Sequence, residues 1–355
     1  MKLNILSNKI GWFGKFSGYE CLTEYFPKSV SLKITSSNSH FFQKAFGKLI
    51  QKYEKWNETS PSEIFAEFSF ANKMSKNNIS HILYMESHLH ILPLVQKKQK
   101  KIVATIHLPI SQWSEEWLQK LNYLENAILL YGEEVDEFSK YISREKIHVI
   151  KHGVDIDFFK PGFSTLVKKN KILFVGHFLR DFDMFIKVYD LLLESDFGKE
   201  LEFHFIIPVA FRNIDALAPI VNSDKVFFHG GLSDEELLEF YQTSYLLLMP
   251  MIDSGANTAI VQAIATGLPV VTTDIGGIRS YGGGEVFEVI ERNDFKAMSA
   301  LFTKYYNDSD FRNSVAVKQR NFALEQLDWN VIAKQHVTVY KAILGDLRKK
   351  SVLKE

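Results

Sequence analysis

Two doubly wound α/β domains are the architecture this sequence predicts, on three observations. The chain has 355 residues, more than a single domain usually holds. Short β-branched runs alternate with amphipathic helical patterns, as in parallel sheets whose strands are joined by crossover helices. That alternation occurs twice, with a break between the two series. An apolar content of 46% and a charged content of 24% allow each series its own core.

In the first series, "KLNILSN", "HILYME", "KKIVATIHL", "NAILLYG" and "KIHVIKHG" read as strands. Helical patterns lie between them, as in "FFQKAFGKLIQKYEKW" and "PSEIFAEFSFANKMS". The second series runs from "KILFVGH" through a helix over 183–194, then "LEFHFIIP", "VFFHGG", the helix "SDEELLEFYQT", "YLLLMP", a further helix and "PVVTTD". The join falls near "DFFKPGFSTLVKKNK", where Pro161 and Gly162 break the pattern. Residues 1–160 and 161–325 are the expected domains, and 326–355 a closing helix expected to pack back toward the first.

Cys21 is the only cysteine, so no intrachain disulfide forms and a reducing compartment is expected. No signal peptide or membrane-spanning stretch is read, which predicts a protein of the cytoplasm or of the cytosolic membrane surface. Net charge is zero, but it is unevenly placed. Residues 1–101 hold 15 lysines against 7 glutamates, with no arginine or aspartate, and so carry +8. In "FFQKAFGKLIQKYEKW", Phe42, Ala45, Phe46, Leu49, Ile50 and Tyr53 share one helical face, and Lys44, Lys48, Lys52 and Lys55 line another. Peripheral contact with an anionic membrane and an ordinary core helix with a solvated lysine face both fit that pattern. Nucleic acid is not an expected partner, because the lysines are not interleaved with stacking aromatics.

The stretch that points to chemistry is "DSGANTAIVQAIATGLPVVTTDIGG", from Asp253 to Gly277. It lies between two strands of the second series, and its helix is expected to begin near Asn257. A helix start offers unpaired N–H groups and partial positive charge, which suit phosphate. Asn257 can cap, Gly255 allows close approach to the backbone, and Gln262 lies within reach of ribose hydroxyls. Gly276 and Gly277 follow the next strand and would admit a contact from the other domain. An ordinary capped helix with a glycine-rich exit is the plainer alternative for any one of these residues.

Here the sequence resembles the family 4 retaining glycosyltransferases. "IATGLPVVTTDIGGIRSY" is similar to the family's "EAMACGLPVVATDVGG", and "VIKHGVDIDFFKP" to its "VIPNGVDTDFFRP". "KILFVGHFLRDFD", "VFFHGGLSDEELLEFYQTSYLLLMP" and the tail "ALEQLDWNVIAKQHVTVYKAI" follow in matching order. The resemblance covers residues 146–342, with thinner signals in "GWFGKFSGYECL" and "VATIHLP". It implies the GT-B fold, two Rossmann-like domains facing each other across a cleft. It also implies transfer of a hexose, with retention, from a nucleoside-diphosphate sugar to a glycan or lipid-linked acceptor in polysaccharide biosynthesis.

Carried over by position, the amides near Asn257 and Thr258, with Gly255, bind the donor diphosphate, and Gln262 holds the ribose. Ser254 stands where the family has a glutamate that contacts the sugar, and Asp253 is the nearest carboxylate. His107 matches the first-domain histidine beside the sugar, and Gly14 and Lys15 lie in the loop that faces the diphosphate. The family's phosphate-clamping arginine and lysine fall near His177 and Phe182 or Asp183, which leaves Arg180 as the nearest cation. No cofactor or metal is expected, because helix dipole and cations neutralise the diphosphate. The lost glutamates motivate a second class of function, a binding or accessory subunit on the same scaffold. An epimerase or phosphorylase on this fold is a third, and the lysine context a phosphorylase cofactor needs is not found.

Overall fold

The structure is a computed structural model and describes residues 1–8, 14–37, 44, 45, 47, 48, 60–75, 77–90, 101–212 and 214–352. Most of the lysine-faced stretch 41–56 lies outside the described residues, and so does its membrane-or-core question. The chain divides into two compact units. The first comprises residues 1–13, 18–151 and 329–355, and the second comprises 14–17 and 152–328.

Unit 1 is built on a six-stranded sheet of β1 (Lys2–Ser7), β2 (Ser31–Ser36), β3 (Ile79–Ile82), β4 (Lys101–Ile106), β5 (Asn126–Leu129) and β6 (Ile147–Val149). Every pairing is parallel, in the order β2-β1-β3-β4-β5-β6. The central strands are buried along nearly their whole length, as strands covered on both faces should be, and carry the polar side chains Ser80, His81, Thr105 and Asn126 among their apolar residues. "KIHVIKHG" yields only the three-residue β6. It is the edge strand with one neighbour, Val149 is exposed, and the chain then leaves for the other unit. The closing helix Trp329–Val352 belongs to unit 1, where Trp329 packs its ring 5.5 Å from Tyr19.

Unit 2 holds β7 (Lys171–Val175), β8 (Glu202–Ile206), β9 (Val226–His229), β10 (Leu246–Met249) and β11 (Val270–Thr272), all parallel, in the order β11-β10-β7-β8-β9. The predicted helix over 183–194 is Phe182–Leu193, started one residue earlier by Asp181, whose carboxylate accepts the Met184 N–H at 2.9 Å. Helix Asp234–Thr243 begins with a capping box of Ser233 and Glu236. Strand order reverses between β7 and β10, so the loops leaving those two strands meet at the carboxyl edge. In doubly wound sheets that switch point is where ligands bind. The two loops are fastened there by backbone bonds: the Asp181 N–H donates to the Pro250 carbonyl at 3.0 Å, and the Ile252 N–H to the Leu179 carbonyl at 3.1 Å.

Candidate active site

Beyond β10 the chain turns through Met251–Asn257 into helix Thr258–Thr266. The Met251 N–H donates to the buried Thr273 hydroxyl at 2.9 Å, and the Asp253 carboxylate accepts the Ser254 N–H at 2.7 Å. Asn257 caps the helix: its side-chain oxygen accepts the Ala259 and Ile260 N–H groups at 3.1 and 3.3 Å. The Val261 N–H already bonds the Asn257 carbonyl. Among the described residues, the N–H groups of Gly255, Ala256, Asn257 and Thr258 donate to no protein group. Four successive unpaired amides at a helix start leave partial positive charge and free donors that suit an anion. Asn257→Ala should cost about 1 kcal/mol of unfolding free energy, the usual worth of a side-chain cap, and denaturant titration measures it.

Ser254 and Gln262, both singled out in the sequence, are buried uncharged side chains. Ser254 is 2% exposed, and its hydroxyl donates to the Gly255 carbonyl at 2.9 Å. Asp253 next to it is partly exposed and is the carboxylate of this loop. Gln262 is 3% exposed and donates its amide to the Ser17 hydroxyl at 3.1 Å. The segment Gly14–Ser17 thereby joins this site, with the Lys15 N–H donating to the Asp234 carboxylate at 2.7 Å and Phe16 stacked on Phe158 at 3.9 Å.

The glycine pair after β11 meets this same loop. The Gly277 N–H donates to the Ser254 carbonyl at 2.8 Å. Gly276 has φ of +47°, and a Cβ there would sit 2.0 Å from the Ser254 carbonyl oxygen. The pair thus fixes the position of the Ser254 backbone.

Arg180 is neither a free surface cation nor paired with Asp181 or Asp183. Its Nε donates to the Val175 carbonyl at 3.0 Å and one terminal nitrogen to the Phe178 carbonyl at 2.8 Å. The guanidinium braces the loop leaving β7 while placing a positive charge at the switch point. Burial pushes its pKa down to about 10, so it stays protonated at neutral pH. His177 stacks on Phe211 at 3.6 Å, and burial plus the Arg180 charge push it below its ordinary range. It is mostly neutral at pH 7, so Arg180 holds the charge of this loop.

In unit 1, His107 ends β4 at the sheet's carboxyl edge. Its ring stacks on Tyr84 with centroids 4.8 Å apart and meets the edge of Tyr19 at 4.9 Å. One carboxylate organises the turn beyond it. Glu86 Oε1 accepts the His107 and Leu108 N–H groups at 2.5 and 3.0 Å, and Oε2 lies 3.4 Å from His107 Nδ1. A second carboxylate, Glu134, accepts the Ile110 N–H at 2.8 Å and the Tyr131 hydroxyl at 2.6 Å. Among the described residues, no three His, Cys, Asp or Glu side chains converge as a metal site requires, and no helix is long and apolar enough to cross a membrane.

The family model for glycosyl transferases group 1 matches residues 169–308, the strands and loops that carry these amides and Arg180. Over that segment the chain is similar to the group 1 glycosyltransferases. Among curated relatives, it is 24% identical over 212 residues to the MMP alpha-(1->4)-mannosyltransferase of Mycolicibacterium hassiacum, covering 58% of this chain and 50% of that one. It is 28% identical to the lipopolysaccharide core biosynthesis mannosyltransferase LpsB of Rhizobium meliloti, over 50% of this chain and 57% of that one. The chain spans about half the length of the curated relatives it matches. Among solved structures, sucrose-phosphate synthase from Thermosynechococcus elongatus superposes with a TM-score of 0.71 at 12% identity, covering 97% of this chain and 99% of that one. Anabaena Alr3699/HepE, solved in complex with UDP, gives 0.68 at 14% identity, covering 96% of this chain and all of that one. These likenesses show the fold, GT-B, with its two Rossmann-like units.

Gly14, Lys15, Arg180, Asp253, Ser254, Gly255, Asn257, Thr258 and Gln262 all belong to unit 2, and His107 to unit 1. Sequence reasoning missed Glu86, Glu134, Ser17, Asp234 and Thr273. Of these, Glu86 left a legible signal: an acidic residue just beyond a strand, in "HILYMES", where doubly wound sheets place functional groups.

Proposed function

We infer that this protein is a glycosyltransferase that moves a hexose, with retention, from a nucleoside-diphosphate sugar to a glycan or lipid-linked acceptor. The run of four unpaired N–H groups from Gly255 to Thr258 carries the reading, since a diphosphate supplies the acceptor oxygens those amides lack. Arg180 and Lys15 add positive charge, which a leaving nucleoside diphosphate needs as its bond to the sugar breaks. The reading assigns no metal to the site. By the resemblance, Gln262 contacts the ribose and Asp253 and Ser254 the sugar, and His107 is a residue of the transfer step. The curated mannosyltransferases and the UDP-bound neighbour support the substrate class without naming this chain's own base, sugar or acceptor.

Calorimetric titration with UDP, GDP and ADP tests the reading, and one of them should bind. Arg180→Ala should then weaken that binding about tenfold, roughly 1.4 kcal/mol, the low end for a charged hydrogen bond. Arg180→Lys, which keeps charge but loses the fork, should recover only part of it. No binding of any of the three would sink the donor site.

A binding or accessory role on the same scaffold is favoured by one observation. The Ser254 hydroxyl is committed to the Gly255 carbonyl and Gln262 donates to Ser17, so neither replaced position brings a charge to the site. Nucleotide binding without donor hydrolysis or transfer would establish that role.

A further inference from the structure

Glu86 enters none of the assignments above, yet its two oxygens take both amides of the turn from His107 to Leu108 and face the His107 ring, while the Leu108 carbonyl accepts from Trp113 and Tyr131. The turn needs such a partner. β4 ends at Ile106, and Pro109 has no N–H, so the His107 and Leu108 amides would otherwise be stranded at a strand end. One oxygen of Glu86 takes both amides, and the other faces the imidazole.

The neighbouring phenols are engaged elsewhere. The Tyr84 hydroxyl donates to Glu20 at 2.5 Å and accepts the Tyr19 N–H at 2.8 Å. The Tyr19 hydroxyl pairs with His336 Nε2 at 3.0 Å. Both rings therefore sandwich His107 through their apolar surfaces and leave its polarity to Glu86. Burial alone would push the Glu86 carboxyl up. The contacts from His107 outweigh it and hold the group below the usual carboxylate range, hence ionised. An ionised carboxylate only accepts hydrogen bonds, so the nitrogen facing it carries the proton. Neither ring nitrogen makes a hydrogen bond among the described residues, and of the two it is Nδ1 that has the carboxylate oxygen beside it, at 3.4 Å.

We propose that Glu86 is the positioning residue for His107, fixing the turn beyond β4 and holding Nδ1 protonated, with Nε2 as the lone-pair nitrogen of the ring. The proposal rests on the reading of His107 as a residue of glycosyl transfer. Second partners of this kind fix the tautomer and direction of an imidazole without touching substrate themselves.

Glu86→Gln tests it, because the amide keeps an oxygen for the two backbone N–H groups but turns an NH2 toward Nδ1. The tautomer should reverse to Nε2–H, read by 15N shifts of labelled histidine, and kcat should fall at least about tenfold while donor KM moves less than about threefold. In a His107→Ala background the same substitution should cost nothing more. A folded Glu86→Gln enzyme with unchanged tautomer and rate overturns the proposal. So does an Nε2–H tautomer in the unaltered protein, a measurement that needs no variant to fold. If His107→Ala alone transfers at the normal rate, the catalytic reading of His107 fails instead. The Glu86→Gln tautomer then still decides whether Glu86 sets the ring.

Discussion

Lowering the pH from 6.5 towards 4 should strip several kcal/mol of stability from unit 1. The cause is a set of histidines buried as neutral rings. His81 on β3 pairs its Nδ1 with the Tyr340 hydroxyl at 2.5 Å and its Nε2 with Thr105 at 2.8 Å. His336, on the closing helix, donates Nδ1–H to the Ile332 carbonyl at 2.9 Å, which leaves Nε2 to accept from Tyr19. Burial pushes His336 down to about 4, His88 to about 3 and His90 to about 4, and it holds His81 well below its ordinary range.

Above pH 6.5 the folded and unfolded chains both keep these rings neutral, and their contribution is whole. As the pH falls, the unfolded chain takes up protons that the folded one refuses, so stability is lost from 6.5 downward through the folded values. The shift of His336 alone is worth about 3 kcal/mol, against the 5–15 kcal/mol that roughly spans whole domains. Denaturant unfolding at pH 7.5, 6 and 5, followed by fluorescence of Trp329 packed on Tyr19, should show a steep decline. His336→Asn should flatten that slope while lowering stability at pH 7.5. A flat profile between pH 7 and 5 would contradict the account.

Gly276→Ala should damage the candidate donor site more than any single polar deletion in it. A non-glycine residue at φ of +47° costs about 1–3 kcal/mol by itself. The added Cβ also meets the Ser254 carbonyl oxygen at 2.0 Å, and that oxygen is backbone, already bonded by the Gly277 N–H. It cannot swing away as a side chain would, so overpacking adds a similar cost. The relief open to the chain is to move the Ser254 loop, and with it the amides of Gly255 to Thr258. Nucleoside-diphosphate affinity should therefore drop well over tenfold, with stability down by about 3 kcal/mol. Gly284→Ala is the control. Its φ is +82°, but its new Cβ would meet the end of the Arg279 side chain, which can shift. It should cost stability and leave affinity unchanged; equal losses in both variants would remove Gly276 from the site's support.

What the sequence determined by itself is what local periodicity carries. Runs such as "ILFV" and "LLLM" are apolar throughout because their strands are covered on both faces, and the helices between them show one apolar side. From these came two parallel α/β units, the helix start at Asn257 and the short motifs that mark a group 1 glycosyltransferase. Partnerships between residues far apart in the chain were decided only by tertiary structure. Glu86 and His107 are 21 residues apart, and Gln262 and Ser17 are 245 apart. Gly276 meets Ser254 only because β10 and β11 lie side by side. Arg180 found carbonyls where two aspartates stood next to it in sequence. A side chain's partner depends on which strand ends the sheet order brings together and on which acceptors are buried with it. No local pattern in one sequence records either.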